Sequence, residues 1–231
     1  MSPETHALLT QVAVPTLSAV LYARGLRSRF LHGIVPANPA RRMIGPAVTL
    51  RCIPVREDLR DAVARGAAPN LHRRFLSELP AGAVLVAATG APSVSILGDI
   101  IATSLARRGI AGVVTDGGVS DLPAVAGLDL PVFHGGGSAP VPSGALVMVA
   151  DRDLPVGIGP VAIFPGDVMV GDAAGVVCIP RAILDEVAAE AAEKERLEAW
   201  ILRQIEAGAP LEGTYPPDAA TKALFRAETG T

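Results

Sequence analysis

Two short, unbroken apolar runs stand out near the middle of the chain. Residues 83–88 (Ala-Val-Leu-Val-Ala-Ala) and 110–115 (Ile-Ala-Gly-Val-Val-Thr) show no polar alternation, which is the pattern of strands covered on both faces. Between them, residues 95–108 carry helical spacing and close on Arg107-Arg108-Gly109, cations followed by a glycine. Strand, helix and strand predict a βαβ crossover. Thr89-Gly90-Ala91-Pro92 reads as the turn that leaves the first strand. Upstream, residues 4–25 have apolar positions at helical intervals and end in Arg24-Gly25. Pro15 predicts a break into two helical pieces there, or a place in a first turn. Residues 47–53 predict a strand stopped by Pro54, residues 56–65 a short helix closed by Gly66, and residues 131–133 another strand.

The second half has a different rhythm. Apolar runs at 145–150, 156–158, 161–164, 167–170 and 175–179 are separated by Gly, Pro and Asp, which predicts a mostly antiparallel sheet with tight turns. A long helix is predicted over 181–207, with Ile183, Leu184, Val187, Ala191, Leu197, Trp200, Ile201 and Ile205 on one stripe and Gly208 as its stop. Its middle, 190–198, is charged enough to be solvated or to lie against another subunit. Residues 209–231 contain Pro210, Pro216 and Pro217 and read as an arm or disordered end. No internal repeat and no long linker divides the chain, so one α/β domain is expected.

Composition narrows the field. The 231 residues include one Trp, two Tyr and five Phe, although half are apolar, so the core must be aliphatic. Twenty basic and 23 acidic residues, interleaved, give a formal charge of −3; no basic stripe marks a nucleic-acid partner. Cys52 and Cys178 are the only cysteines. They form neither a disulfide framework nor a zinc motif, and both read as small core residues. The first residues lack Lys and Arg, and the apolar stretch 7–23 is interrupted by Thr10, Gln11, Pro15, Thr16 and Ser18. It makes a poor signal peptide and a poor membrane span, so the chain is expected to be soluble and cytoplasmic.

Ligands of covered parallel sheets gather beyond the carboxyl ends of the strands. Here two such ends converge: residues 90–99, and Asp116-Gly117-Gly118-Val119-Ser120-Asp121. Asp99 is placed in the first turn of a helix, where free N–H groups favour an anion. Asp99, Asp116 and Asp121 on one rim suit a hard cation such as Mg²⁺ or Mn²⁺. The competing reading makes Asp99 a helix-start residue and the other two turn formers.

Leu97-Gly98-Asp99-Ile100-Ile101, with Ala106-Arg-Arg-Gly109-Ile-Ala-Gly112-Val-Val-Thr-Asp116-Gly-Gly-Val-Ser-Asp121, resembles the RraA-like family. That family includes the class II 4-hydroxy-4-methyl-2-oxoglutarate aldolases and the regulator of RNase E activity. A second stretch, from Pro155 through Phe164-Pro-Gly166-Asp167 to Gly171-Asp172-Ala-Ala-Gly175 and Pro180, is similar to the family's second signature, and the likeness covers residues 8–208. It implies an RraA-like α/β/β swivelling-type sandwich, built as ring-like trimers or as hexamers of two rings, with active sites between subunits. It implies a divalent metal on Asp121, supported through water by Asp99 and by a glutamate of a neighbouring subunit, for which Glu195 is the candidate. Backbone N–H groups near Ile100 and Ile101 would cradle a pyruvyl group, with Gly98, Gly117 and Gly118 allowing close approach. Metal polarisation of a 2-keto acid would stabilise the enolate left by carbon–carbon cleavage, so aldolase and oxaloacetate-type decarboxylase activity can share one site.

One departure stands out. Active members of the family carry Arg-Asp where this chain has Ser120-Asp121, and an acidic residue where it has Ala124. Ser120 offers one neutral hydroxyl in place of a bidentate grip on a carboxylate. That leaves a different substrate such as a sugar-acid derivative, an arginine from elsewhere (Arg152 or Arg181), or a non-catalytic binding or regulatory protein. His6, His32, His72 and His134 have no metal spacing, Gly135-Gly136-Gly137 reads as a connection, and no GxGxxG motif opens a helix.

Overall fold

The computed structural model describes residues 1–90, 93–138 and 146–230. Ala91 and Pro92 of the expected turn and Ala145 of an expected strand lie outside the described residues. The chain opens with α1 (Pro3–Gln11) and α2 (Val14–Ala23), bent by 109° at their junction. Pro15 lies in the first turn of α2, where its missing N–H costs nothing. Next come β1 (Val35–Pro36), β2 (Met43–Pro54), α3 (Glu57–Ala64) and α4 (Leu71–Ser77). The crossover follows as β3 (Val84–Ala88), α5 (Asp99–Arg107) and β4 (Gly112–Thr115). Then come β5 (Gly118–Val119), α6 (Leu122–Ala126), β6 (Val132–His134) and β7 (Gly136–Gly137). The second half supplies β8 (Val147–Arg152), β9 (Val156–Ile158), β10 (Val161–Ile163), β11 (Val168–Asp172) and β12 (Gly175–Ile179). The chain closes with α7 (Leu184–Glu206), the kinked turn α8 (Leu211–Thr214) and α9 (Ala219–Thr229).

The main sheet runs β1-β6-β4-β3-β2-β11-β12. β6, β4, β3 and β2 are parallel neighbours, as the unbroken apolar runs required. β2 is long enough to serve three partners. Along Ala47–Arg51 it pairs with β3, along Met43–Pro46 with β11, and along Leu50–Pro54 with β8, with a register shift between Arg51 and Cys52. β9 with β10 and β11 with β12 are antiparallel hairpins, as the turn-rich second half predicts.

Alternation along β3 separates two cores. Val84, Val86 and Ala88 face an inner cluster that includes Met169, Val176 and Cys178 of β11 and β12. Leu85 and Ala87 face a second cluster, closed by Leu76 of α4, Ala102 and Leu105 of α5, and Val125 of α6. The far faces of β11 and β12 (Val168, Val170, Val177, Ile179) pack on α1, α2 and α7. The main sheet thus folds back on itself around the inner core, with α4, α5 and α6 packed outside its β3–β4 limb and α1, α2 and α7 outside its β11–β12 limb. Phe133 of β6 lies across the inner core against Gly171, where a Cβ would stand 2.6 Å from its ring.

Beyond short elements the sequence does not announce, such as α4 and α6, two segments run against the sequence reading. The helix expected from Ser95 begins only at Asp99, because Ser95 pairs with Gly118 in an isolated parallel bridge and Gly98 is the N-cap. The chain end, expected as an arm or disordered, carries α9, whose Phe225 meets Trp200 edge-on, while the Trp200 indole N–H donates to Glu228.

Candidate active site

Two loops form the rim at the carboxyl ends of β3 and β4: residues 93–98, entering α5, and residues 116–121, leaving β4. They are fastened together by backbone and hydroxyls. The Gly118 N–H donates to the Val94 carbonyl at 2.8 Å and the Ser120 N–H to the Leu97 carbonyl at 3.1 Å. The Ser95 hydroxyl donates to the Leu97 carbonyl and lies 2.8 Å from the Ser120 hydroxyl. Gly117 is required by this fit, since a Cβ there would stand 2.6 Å from the Val94 carbonyl oxygen. Gly117 and Gly118 are both buried, and what the structure gives them is this loop-to-loop packing.

Asp121 ends the second loop in a left-handed conformation, φ 53° and ψ 36°, as the N-cap residue of α6. Its carboxylate comes over Gly98, whose missing Cβ would stand 2.6 Å from Asp121 Oδ2. Asp121 is exposed, and among the described residues its carboxylate takes part in no hydrogen bond or ion pair. Asp99, also exposed, sits in the first turn of α5, and its carboxylate accepts from the Ile100 N–H at 2.6 Å. The Ile100 side chain stands 82% exposed beside it.

The remaining expected ligands are placed differently. The Asp116 carboxylate accepts from the Thr89 N–H (2.6 Å), the Thr89 hydroxyl (2.9 Å) and the Gly90 N–H (2.9 Å). Both its oxygens thus hold the end of β3. Glu195 lies on α7, where it accepts from the Ala13 N–H at 3.3 Å. The inner core and the two limbs of the folded main sheet separate α7 from α5 and α6. Among the described residues no three His, Cys, Asp or Glu side chains gather closely enough to hold a metal ion. Neither Arg152, paired with Glu78 and Asp153, nor Arg181, beside Gly166, is placed at the rim by its contacts. Ser95 falls within the expected rim stretch 90–99 but carries no chemical signal in sequence, where it opens an apparent helix; its bridge to Gly118 and its contact with Ser120 give it a rim role.

The sequence pattern of the RraA-like family, described as Aldolase/RraA, matches residues 14–178. The chain belongs to the RraA-like family. A relative from Halalkalibacterium halodurans, named "Putative 4-hydroxy-4-methyl-2-oxoglutarate aldolase", is 29% identical over 162 residues, 70% of this chain and 71% of that one. An uncharacterized protein from Pseudomonas syringae pv. tomato superposes with a TM-score of 0.77 at 26% identity, covering 91% of this chain and 97% of that one. Streptomyces coelicolor RraAS2, described as an unusual member of the RNase ES inhibitor RraA protein family, gives 0.75 at 30% identity, over 87% and 96%. The RraA-like family thus spans an aldolase name and an inhibitor name on one α/β fold.

Proposed function

We propose that this RraA-like chain is a divalent-metal-dependent carbon–carbon lyase, of the pyruvate aldolase or oxaloacetate-type decarboxylase kind, acting on a small 2-oxo or sugar acid. The observation that carries the reading is Asp121: an exposed carboxylate without a partner among the described residues, set in a left-handed turn over Gly98 at the start of α5.

A lone carboxylate of this kind suits Mg²⁺ or Mn²⁺, which bind through one or two carboxylates and otherwise keep water or substrate oxygens. Asp121 would hold the ion directly, and Asp99 through water. Glu195 can serve only from a second copy of the chain, which accords with a ring-like trimer or hexamer. Asp116, with both oxygens engaged, supports the loop instead. Bound there, the ion would draw electron density from a 2-keto oxygen, which cleavage of the neighbouring carbon–carbon bond requires. The first turn of α5 binds the substrate carboxylate through the Ile101 N–H, and through the Ile100 N–H once the Asp99 side chain turns away. Gly98 leaves room for that approach. The Ser120 hydroxyl, engaged by Ser95, adds no charge.

The test is oxaloacetate with Mg²⁺, read out as pyruvate. Turnover should vanish with EDTA and fall on the order of 10²-fold or more in Asp121→Ala. Full activity in Asp121→Ala would refute the assignment. A second reading, a binding or regulatory protein, is favoured by the Ser120–Ser95 contact, which occupies the position of the family's arginine with a neutral pair. No turnover across a panel of 2-oxo and sugar acids would support it.

A further inference from the structure

Beside the rim, beneath α3, lies a cavity of about 310 Å³ that the lyase reading does not use. Its size falls at the lower end of ligand pockets, roughly 300–1,000 Å³. α3 provides one wall through Leu59, Arg60 and Val63, and Cys52 and Val149 of β2 and β8 provide the floor. A helix of eight residues is marginal unless an apolar face is packed. Yet α3 has no buried residue, and neither Leu59 nor Val63 joins a core cluster. What its apolar side covers is this cavity. The floor is also irregular: between Arg51 and Cys52 of β2 the pairing skips Ala150 of β8, and such bulges re-aim side chains, often next to binding sites.

The polar groups are few and distinct. Arg60 is the only charged residue among the described lining residues. It is paired at 3.1 Å with the adjacent Asp61 on the exposed surface, where both side chains are about half accessible; such a pair is worth little and can be exchanged. His72 lines the cavity as well, and its Nε2, shielded from solvent, has no hydrogen-bond partner among the described residues. Burial pushes the His72 pKa down, which favours the uncharged ring, whose Nε2 offers a single donor or acceptor. None of Asp99, Ser120 and Asp121 lines this space.

We infer that the cavity under α3 is a separate binding site for a small monocarboxylic acid with an apolar body, an aryl- or alkyl-acetate in type, its carboxylate on Arg60 and its body over Val63 and Val149. The full chain, labelled with ¹³C at the Ile and Met methyls, is titrated with phenylacetate, with 2-phenylethanol as the uncharged control. Saturable shifts are expected at Ile96 and Met148, with phenylacetate about tenfold tighter than the alcohol, as for a charge-assisted contact. Arg60→Gln should erase that tenfold difference. Val63→Trp, or Ala68→Leu as a milder filling, should abolish the shifts while methyl signals elsewhere stay in place. Asp121→Ala should leave binding unchanged, so that a failed lyase assignment and a failed cavity assignment are distinct results. No saturable shift, equal affinity for acid and alcohol, or shifts centred on Ile100 and lost in Asp121→Ala would each overturn the inference.

Discussion

Asp121 adopts a backbone conformation that most residues avoid. A left-handed residue with a Cβ is disfavoured by roughly 1–2 kcal/mol, least for Asn and Asp. Here the strain coincides with the exposed rim carboxylate, which is where such conformations tend to serve function. Asp121→Gly and Asp121→Ala should both lose turnover, but only the alanine should lose stability, by about 1 kcal/mol relative to glycine. Equal melting temperatures for the two variants would contradict this account. Gly98→Ala tests the neighbouring contact. The Gly98 backbone is extended (φ −129°), so alanine fits the chain, yet its Cβ would stand 2.6 Å from Asp121 Oδ2. The carboxylate must swing aside; activity should fall with little change in melting temperature, and full activity would show that Asp121 need not sit there. The sequence reading places Asp99 in the first turn of α5 and Asp121 on the facing loop, because strand and glycine signals fix where strands end. The hydrogen bonds of Asp116 are not readable in the same way. A carboxylate that holds a turn and one that holds a cation look alike in sequence, and only the approach of Thr89 and Gly90 tells them apart.

Elements were legible where burial on both faces leaves an unbroken apolar run, as in β3, β4 and β12, and where cations precede glycine, as at the end of α5. Local periodicity misleads where long-range pairing competes with it. Ser95 through Leu97 fit a helical pattern, but the Ser95–Gly118 bridge and the Ser120 N–H to Leu97 bond draw them into the rim. Likewise, prolines suggested an arm after Gly208, while Phe225 of α9 finds Trp200 and orders the end. The loop pairing also makes Ser120 a useful probe. Its hydroxyl meets Ser95 at 2.8 Å in a half-buried position, and an arginine in Ser120→Arg would replace that contact with a cation beside Asp121. That variant should give up about 1 kcal/mol with the lost hydroxyl contact. It should raise oxaloacetate decarboxylation by about tenfold or more through a bidentate carboxylate grip. Unchanged rates with Mg²⁺ still bound would mean that the rim serves another substrate class.

At the scale of the molecule, the layer order limits what one chain can do alone. α5 and α6, which carry the rim, and α7, which carries Glu195, pack outside opposite limbs of the folded main sheet, with the Phe133 and Met169 core between those limbs. Glu195 therefore cannot reach the Asp121 of its own chain, whereas a ring of copies can bring one chain's outer helix to the next chain's rim. This yields an experiment in which two inactive proteins make an active one. Asp121→Ala and Glu195→Ala should each be inactive as pure samples. In an assembly mixed by dissociation and reassociation, some interfaces combine the intact Asp121 of one chain with the intact Glu195 of another, and those sites should turn over. With random mixing at equal amounts about a quarter of interfaces qualify, which sets the expected recovery. An active Glu195→Ala protein would remove the glutamate from the site. Two inactive parents whose mixed assemblies remain inactive would place both residues' effects within a single chain, against the layer order.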